Sequence, residues 1–199
     1  MAYFGLAHIP LLFQLRFRLS NKCKLIFFEY DRYSGCWNSL AENEGETNLQ
    51  VVGLPNRVIE EEGDVLLRIS ISNTVLLEEV DAVITSSIAS IHLSLPSPNR
   101  DSITSIQQLY RFGATFRNTM DKIHELIPHR INVHVFYAGP VSLALYFGQL
   151  IHSGVDRNII VYNYYPGDSP RYSWGIRVAG NPGDEILVFK PEVTSGKEL

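Results

Sequence analysis

The sequence predicts an α/β fold in which parallel strands are joined by helical crossovers. Residues 131–137 (INVHVFY) alternate in polarity and are rich in β-branched and aromatic side chains, as is typical of a strand. Gly139 and Pro140 then form a turn into an apolar segment with the length of a helix. A second extended segment, NIIVYNY, follows at residues 158–164. Because a helix connects them, the two strands are expected to lie parallel in one sheet.

The N-terminal part of the chain repeats this order of features. With Phe4 aligned to Phe136, residues 10–16 fall on 142–148 and residues 24–30 fall on 158–164 after a short offset. A tryptophan follows each second strand, Trp37 in the first copy and Trp174 in the second. The pattern indicates an internal duplication, and hence two similar halves with pseudo-twofold symmetry, covering about residues 1–100 and 101–199.

The N-terminal copy has only three residues before Phe4, so its leading strand is nearly missing. We therefore expect the chain to be the C-terminal part of a longer protein, or a subunit whose partner domain acts in trans.

The middle of the chain is predicted to supply further strands and one long helix. Residues 40–63 are polar and acidic and indicate a surface loop or hairpin, whereas residues 64–72 and 88–95 have strand patterns. Residues 102–126 predict a helix that begins at an N-cap formed by Asp101 or Ser102. Its apolar stripe consists of Ile103, Ile106, Leu109, Phe112, Phe116, Met120, Ile123 and Ile127.

Composition and charge exclude several classes of protein. The chain has 199 residues, is 45% hydrophobic and carries a net charge of −4, which supports a folded core and argues against binding to long nucleic acid. No apolar run approaches the roughly 20 residues of a membrane span, so a cytoplasmic protein without membrane contact is expected. Cys23 and Cys36 lack the spacing of a metal site and indicate unpaired thiols.

Catalytic motifs are absent or only approximate. The sequence contains no Walker loop, no GxGxxG and no GxSxG. His124 and His129 resemble a zinc-protease pair, but the spacing is one residue too long and Pro128 interrupts the helix between them. His92, in a His-x-Ser segment without a second copy, is expected on a strand face. The sequence thus predicts no catalytic residues, no metal and no cofactor.

The duplicated turns predict a binding site. In open α/β folds ligands bind beyond the carboxyl ends of the strands, where helix N-termini present free N–H groups. Residues 6–10 and 138–142 are therefore expected to form a paired anion cradle, with aromatic side chains to stack on bases and arginines to meet phosphates. The candidate ligand-binding residues are Ala7, His8, Pro10, Tyr30, Arg32, Trp37, Ser72, Asn73, Arg100, Tyr137, Gly139, Pro140, Ser142, Tyr164, Tyr165, Arg171 and Trp174.

The segments GLAHIPLLFQL, KLIFFEYDR, HVFYAGPVSLALYFGQL and NIIVYNY together resemble the SAVED domain, the sensor of CBASS and type III CRISPR anti-phage systems. The resemblance covers nearly the whole chain. It implies two fused CARF-like (Rossmann-like) halves that bind a cyclic di-, tri- or tetranucleotide in the crevice between them. It also implies self-association on binding, which activates a fused or partner effector such as a nuclease, a TIR NADase or a protease.

The sequence leaves two other functions open. A ring-nuclease-like enzyme could cleave the cyclic messenger, because in-line attack by a ribose 2′-hydroxyl needs no dedicated base. A scaffold subunit without a ligand is the other alternative. The non-enzymatic receptor is the main hypothesis.

Overall fold

A computed structural model describes residues 2–19, 22, 24–31, 33–42, 47–179 and 188–189. Within these residues the helices are α1 (Ile9–Leu19), α2 (Leu77–Asp81), α3 (Ile106–Leu126) and α4 (Val141–Leu150). The strands are β1 (Phe28–Asp31), β2 (Cys36–Ser39), β3 (Gln50–Val52), β4 (Gly63–Ser70), β5 (Ala89–Ser94), β6 (Arg130–Ala138), β7 (Ile159–Asn163), β8 (Trp174–Ala179) and β9 (Val188–Phe189). None of the helices in the described part is long and apolar enough to cross a membrane.

The main sheet has seven strands in the order β3-β5-β4-β6-β7-β8-β9. The four central strands, β5, β4, β6 and β7, are parallel. The strands outside them, β3 on one edge and β8 and β9 on the other, pair antiparallel. The fold is therefore α/β as predicted, but the sheet is mixed rather than mostly parallel.

The predicted strand-helix-strand unit is confirmed as β6-α4-β7. Val135 of β6 pairs in parallel register with Val161 of β7. Pro140 is the N-cap residue of α4, where its fixed φ suits the helix start and its missing N–H costs no intrahelical hydrogen bond. The helix packs over the sheet because Leu143, Ala144 and Phe147 are fully buried along one face.

The alternation of side chains along the strands separates two apolar layers. Val65, Leu67 and Ile69 of β4 point into the larger core, which α1, α3 and α4 cover. Leu66 of the same strand points to the opposite face, where a smaller cluster includes Phe136, Tyr162 and Tyr172. The larger core contains the stripe predicted for α3, since Leu109, Phe112, Phe116, Met120 and Ile123 are at most 1% exposed.

Within the described residues, most strand pairing in the N-terminal unit differs from the parallel pairing that the duplication predicted. Strand β1 pairs antiparallel with β2 in a separate hairpin, with Tyr30 opposite Trp37. Gly35, at φ 69°, provides the left-handed residue that this hairpin turn needs. The parallel pairing of the unit is limited, in the part of the chain described, to a single bridge between Ala2 and Ile26.

Three details of the middle segment differ from expectation. Helix α3 begins after Ser105, whose side chain accepts a hydrogen bond from the backbone N–H of Gln108 at 3.2 Å, so the predicted N-cap at Asp101 or Ser102 is wrong. The acidic segment before β4 adds strand β3 to the edge of the sheet. Helix α2, only five residues long, was not predicted because it is shorter than a periodic pattern can reveal.

Candidate functional site

The candidate site lies where neighbouring parallel strands are connected in opposite directions. From β4 the chain passes through α2 to β5 on one side, whereas from β6 it passes through α4 to β7 on the other. The ends of the two strands lie side by side, with Ser70 opposite Ala138. Such a switch point leaves a crevice beyond the carboxyl ends of the strands.

A cavity of about 640 Å³, which we call the main cavity, occupies this crevice. Of the residues predicted from the sequence, those that line it are Tyr30, Ser72, Asn73, Arg100, Tyr137, Gly139, Pro140, Tyr164 and Arg171. The lining residues that the prediction did not include are Leu6, Ile9, Glu29, Thr74, Leu76, Glu79, Ala138, Val141 and Tyr172. A smaller side cavity of about 290 Å³ adjoins it and shares Glu29, Tyr30, Arg100 and Pro140 with it.

The turn after β6 forms the floor of the main cavity. The Tyr137 hydroxyl donates to the carbonyl oxygen of Pro140 at 2.7 Å, which fixes the turn. Complete burial raises the pKa of Tyr137 well above its usual value, so the hydroxyl keeps its proton and remains a donor. Gly139 leaves no room for a side chain, because a Cβ atom there would lie 2.5 Å from the Tyr137 ring.

The loop after β4 is fastened to this turn and to the neighbouring strand. The backbone N–H groups of Ile71 and Ser72 donate to the carbonyl oxygen of Ala138 at 2.8 and 2.9 Å. The Ser70 hydroxyl accepts from the backbone N–H of Val75 at 2.9 Å and lies 2.8 Å from Nε2 of His92. Burial lowers the pKa of His92, so its neutral ring can accept a hydrogen bond from the Ser70 hydroxyl. His92 is thus a strand-face histidine that holds a wall of the cavity.

Glu29 of the β1-β2 hairpin closes the start of α4. The backbone N–H of Ser142 donates to Oε1 of Glu29 at 3.1 Å. Burial raises the pKa of Glu29, and hydrogen bonding by Ser142 opposes this increase only in part. The helix start that was predicted to hold a ligand anion therefore already holds a carboxyl group of the chain itself.

Aromatic and charged side chains form the opposite wall. Arg171 makes an ion pair with Glu79 of α2, and its Nη1 lies 3.4 Å from the Tyr164 hydroxyl. The ring of Tyr164 contacts that of Tyr172 edge to face, with 5.2 Å between centroids. Tyr164 is 41% exposed, so one side of its ring is open for a stacking partner.

Among the residues that the structure describes, the charged groups that face the main cavity are two carboxyl groups and two guanidinium groups, namely Glu29, Glu79, Arg100 and Arg171. The positive charge of Arg171 is already balanced by its ion pair with Glu79. Arg100 is exposed, and no ion pair joins it to a carboxylate in the part of the chain that the structure describes. Arg100 is therefore the cation most available to an anionic ligand.

The remaining predicted residues do not line the main cavity. His8 donates from Nδ1 to Oδ1 of Asn163 at 3.1 Å, and its ring contacts Trp174 edge to face at 5.4 Å. Trp37 packs behind Tyr30, with 5.3 Å between ring centroids. Those that lie outside the lining are Ala7, His8, Pro10, Trp37, Ser142, Tyr165 and Trp174. Arg32 lies outside the described residues.

The two duplicated turns do approach one cavity, although through residues other than those expected. Leu6 and Ile9 line it in place of Ala7, His8 and Pro10. In the extended segment before α1 the exposed positions alternate, so neighbouring residues point in different directions. The contact between Glu29 and Ser142 spans 113 positions and has no local sequence signal.

Metal chemistry finds no support in the site. Among the described residues, no group of three or more His, Cys, Asp or Glu side chains could hold a metal ion. His129 lies near Glu60, at 3.4 Å, while His124 contacts Arg130, so the two histidines do not converge.

These features define a mixed α/β domain with an open crevice beyond the ends of its parallel strands, walled by aromatic and charged side chains. A family model described as the SMODS-associated and fused to various effectors sensor domain, SAVED, matches residues 1–178. The chain therefore belongs to the SAVED family, as its sequence motifs indicated. A comparison with curated proteins found no match.

Solved structures with a similar fold include those of the Acinetobacter baumannii Cap4 SAVED/CARF-domain containing receptor. Its structure with the cyclic trinucleotide 2′3′3′-cAAA has a TM-score of 0.62 at 13% identity, covering 84% of this chain and 36% of the receptor chain. Its structure with 3′3′3′-cAAA has a TM-score of 0.61 at 15% identity, with the same coverage. The chain thus spans about a third of the length of this receptor.

Proposed function

We propose that this chain is a sensor domain that binds a cyclic oligonucleotide second messenger in the main cavity. The observation that carries the proposal is the cavity itself, about 640 Å³ at the topological switch point and walled by Tyr30, Tyr164, Arg100 and Arg171. Aromatic rings stack on bases, and guanidinium groups bind phosphates. Membership of the SAVED family and the fold shared with a receptor for cyclic trinucleotides support the same ligand class.

The proposed sensor passes on its signal in two steps, by associating with further copies of itself and by activating an effector. We infer that ligand binding promotes self-association and activates a fused or partner effector, in keeping with a family described as fused to various effectors. The N-terminal unit, with α1 and the Ala2–Ile26 bridge, would then be the counterpart of β6-α4-β7 in a pseudo-twofold arrangement of two CARF-like halves.

The proposed domain is a receptor rather than an enzyme. Membership of a family described as a sensor domain supports this part of the proposal. Incubating the chain with a labelled cyclic trinucleotide checks this point. Recovery of intact ring is expected, and the appearance of linear product at a rate proportional to protein would show a ring nuclease instead.

Calorimetric titration tests the binding proposal. The probes are 3′3′3′-cAAA, the corresponding cyclic di- and tetra-adenylates, and the linear trinucleotide as a control for shape. Saturable binding of at least one ring, stronger than that of the linear chain, is expected. Arg100→Ala should weaken it about tenfold, as a charge-assisted hydrogen bond worth roughly 1.5–3 kcal/mol is lost.

Arg57→Ala is the matched control, because Arg57 is an exposed arginine that lines neither cavity. Absence of saturable binding by any ring, or equal weakening by both arginine variants, would rule out the proposed site.

A further inference from the structure

One backbone donor at the start of α4 is already taken by a carboxyl group of the chain itself. Helix N-termini normally favour anions, because their free N–H groups and the helix dipole both carry partial positive charge. Here the Ser142 N–H is taken by Oε1 of Glu29 at 3.1 Å, and Pro140 has no N–H to offer. A phosphate that approaches the Ser142 N–H would meet the Glu29 carboxyl group.

The β1-β2 hairpin fixes the position of Glu29. Glu29 lies in β1 directly opposite Asn38 of β2, and the ring of the next residue, Tyr30, packs against Trp37. A group held by strand pairing and by a helix N–H loses little further freedom when a ligand binds. Glu29 is therefore a preorganised hydrogen-bonding group.

Glu29 faces the space where a ligand would lie. It lines both the main cavity and the side cavity, at their junction, together with Tyr30, Arg100 and Pro140. An ionised carboxyl group can only accept hydrogen bonds. In a nucleotide the matching donors are base N–H groups, above all the exocyclic amino groups of adenine, cytosine and guanine, which carboxylates accept in base recognition. Uracil has no amino group.

The charged side chains of the cavity suit different parts of a nucleotide. Arg100, which shares the junction of the two cavities with Glu29, and Arg171, which is paired with Glu79, provide cationic groups for phosphates, while Glu29 repels phosphate and attracts amino groups. A cyclic oligonucleotide would satisfy these groups when its phosphates face the arginines and a base edge points toward Glu29.

We propose that Glu29 is a specificity-determining residue that accepts a hydrogen bond from the exocyclic amino group of one base of the ligand. The sensor consequently binds rings with an amino-bearing base at that position more tightly than rings with uracil there, because the only base donor of uracil, N3–H, lies between two carbonyl oxygens that repel a carboxylate. This inference rests on the proposed function, since it assigns a role within the same cavity.

The test uses pairs of cyclic trinucleotides that differ only by an amino group. Adenine is paired with purine, guanine with hypoxanthine and cytosine with 2-pyrimidinone, and an all-uracil ring is included. In the wild type, removal of the amino group from the recognised base should weaken binding about tenfold or more, as expected for a hydrogen bond to a charged acceptor.

Glu29→Gln changes the acceptor while keeping the shape of the side chain. Its amide oxygen can still accept from the Ser142 N–H, which turns a donor NH₂ toward the ligand. The penalty for removing the amino group should then fall below about threefold. Glu78→Gln is the control, because Glu78 is an exposed glutamate of α2 that lines neither cavity, and it should keep the full penalty.

The outcomes separate this inference from the proposed function. If no ring binds the wild type, the proposed function fails. If a ring binds but the wild type does not distinguish the paired rings, or binds the all-uracil ring best, the sensor role stands and the role of Glu29 is wrong. The wild-type comparison does not depend on the folding of any variant.

Discussion

The backbone of Phe13 in α1 lies directly against Gly148 in α4. A Cβ atom on Gly148 would stand 2.4 Å from the Phe13 carbonyl oxygen and 2.8 Å from the Phe13 Cα atom. Both of these atoms belong to the backbone, so no rotamer change could relieve the contact. The missing side chain at Gly148 therefore sets how closely the N-terminal helix packs on the unit that forms the cavity floor.

Gly148→Ala should destabilise the fold. Overpacking at such a contact costs about 1–3 kcal/mol, which exceeds the gain of up to about 1 kcal/mol from replacing glycine by alanine inside a helix. Urea unfolding should show a lower midpoint with an unchanged slope. Gly154→Ala is the matched control, because nothing lies within 4 Å of a Cβ atom there. Equal midpoints for the Gly148 variant and the wild type would contradict this account of the helix contact.

The contact also shows what the internal repeat could and could not predict. The alignment of the two copies correctly matched helix α1 to α4, and the two helices pack against each other. The same alignment matches Arg16 of the first copy to Gly148 of the second. A long side chain at the position of that glycine argues against close packing of the first helix. Arg16 is nevertheless buried at 1% exposure and donates from Nη2 to Gln149. A single glycine, in α4, is enough for the two helices to approach closely.

The central strands were predictable because their patterns are local. The alternation and β-branched residues of residues 131–137 and 158–164 identify strands that the structure confirms as β6 and β7, in parallel. The antiparallel β1-β2 hairpin was not predicted. Residues Asp31 and Gly35, whose backbones form the hydrogen bond of its turn, are of types that are common in turns, but the alignment with the second copy predicted strands joined by a helical crossover.

The residues of the site were harder to assign than its location. Tyr164 and Tyr165 follow the end of β7, and both were candidates from the sequence. Only Tyr164 lines the main cavity, because beyond the strand end the path of the loop rather than the alternation of the strand decides where each side chain points. Trp174 pairs with Asn163 across the antiparallel β7-β8 ladder, a pairing that no local pattern predicted.

This pair of tyrosines gives a direct test of the cavity. Tyr164→Ala should weaken binding of a cyclic trinucleotide about tenfold, since stacking of a base on an aromatic ring is worth roughly 1–3 kcal/mol. Tyr165→Ala, at the neighbouring and more exposed residue, should change the Kd less than about twofold, which is within the error of most titrations. Calorimetric titration of both variants measures the two changes in Kd. A larger change for Tyr165→Ala than for Tyr164→Ala would show that the ligand binds outside the main cavity.

The stability of the protein should depend on pH through Glu29. Burial raises the pKa of Glu29 above the ordinary value of 4.5, so the folded state holds this proton more tightly than the unfolded state does. The contribution of Glu29 to stability is fully present below pH 4.5 and is lost as the pH rises through the folded-state pKa. Near neutral pH the ionised, partly desolvated carboxyl group therefore makes the fold less stable than a neutral group of the same shape would.

Glu29→Gln should raise the Tm at pH 7 to 8, because the amide keeps an acceptor for the Ser142 N–H and removes the buried charge. The difference from the wild type should shrink as the pH falls toward 4.5. Thermal unfolding across this range measures it, with Glu78→Gln on the exposed face of α2 as the control. A variant that is less stable than the wild type at pH 8 would show that the ionised carboxyl group stabilises the start of α4. The expected result, higher stability together with lost discrimination between paired rings, would show that the fold retains a destabilising charge for recognition.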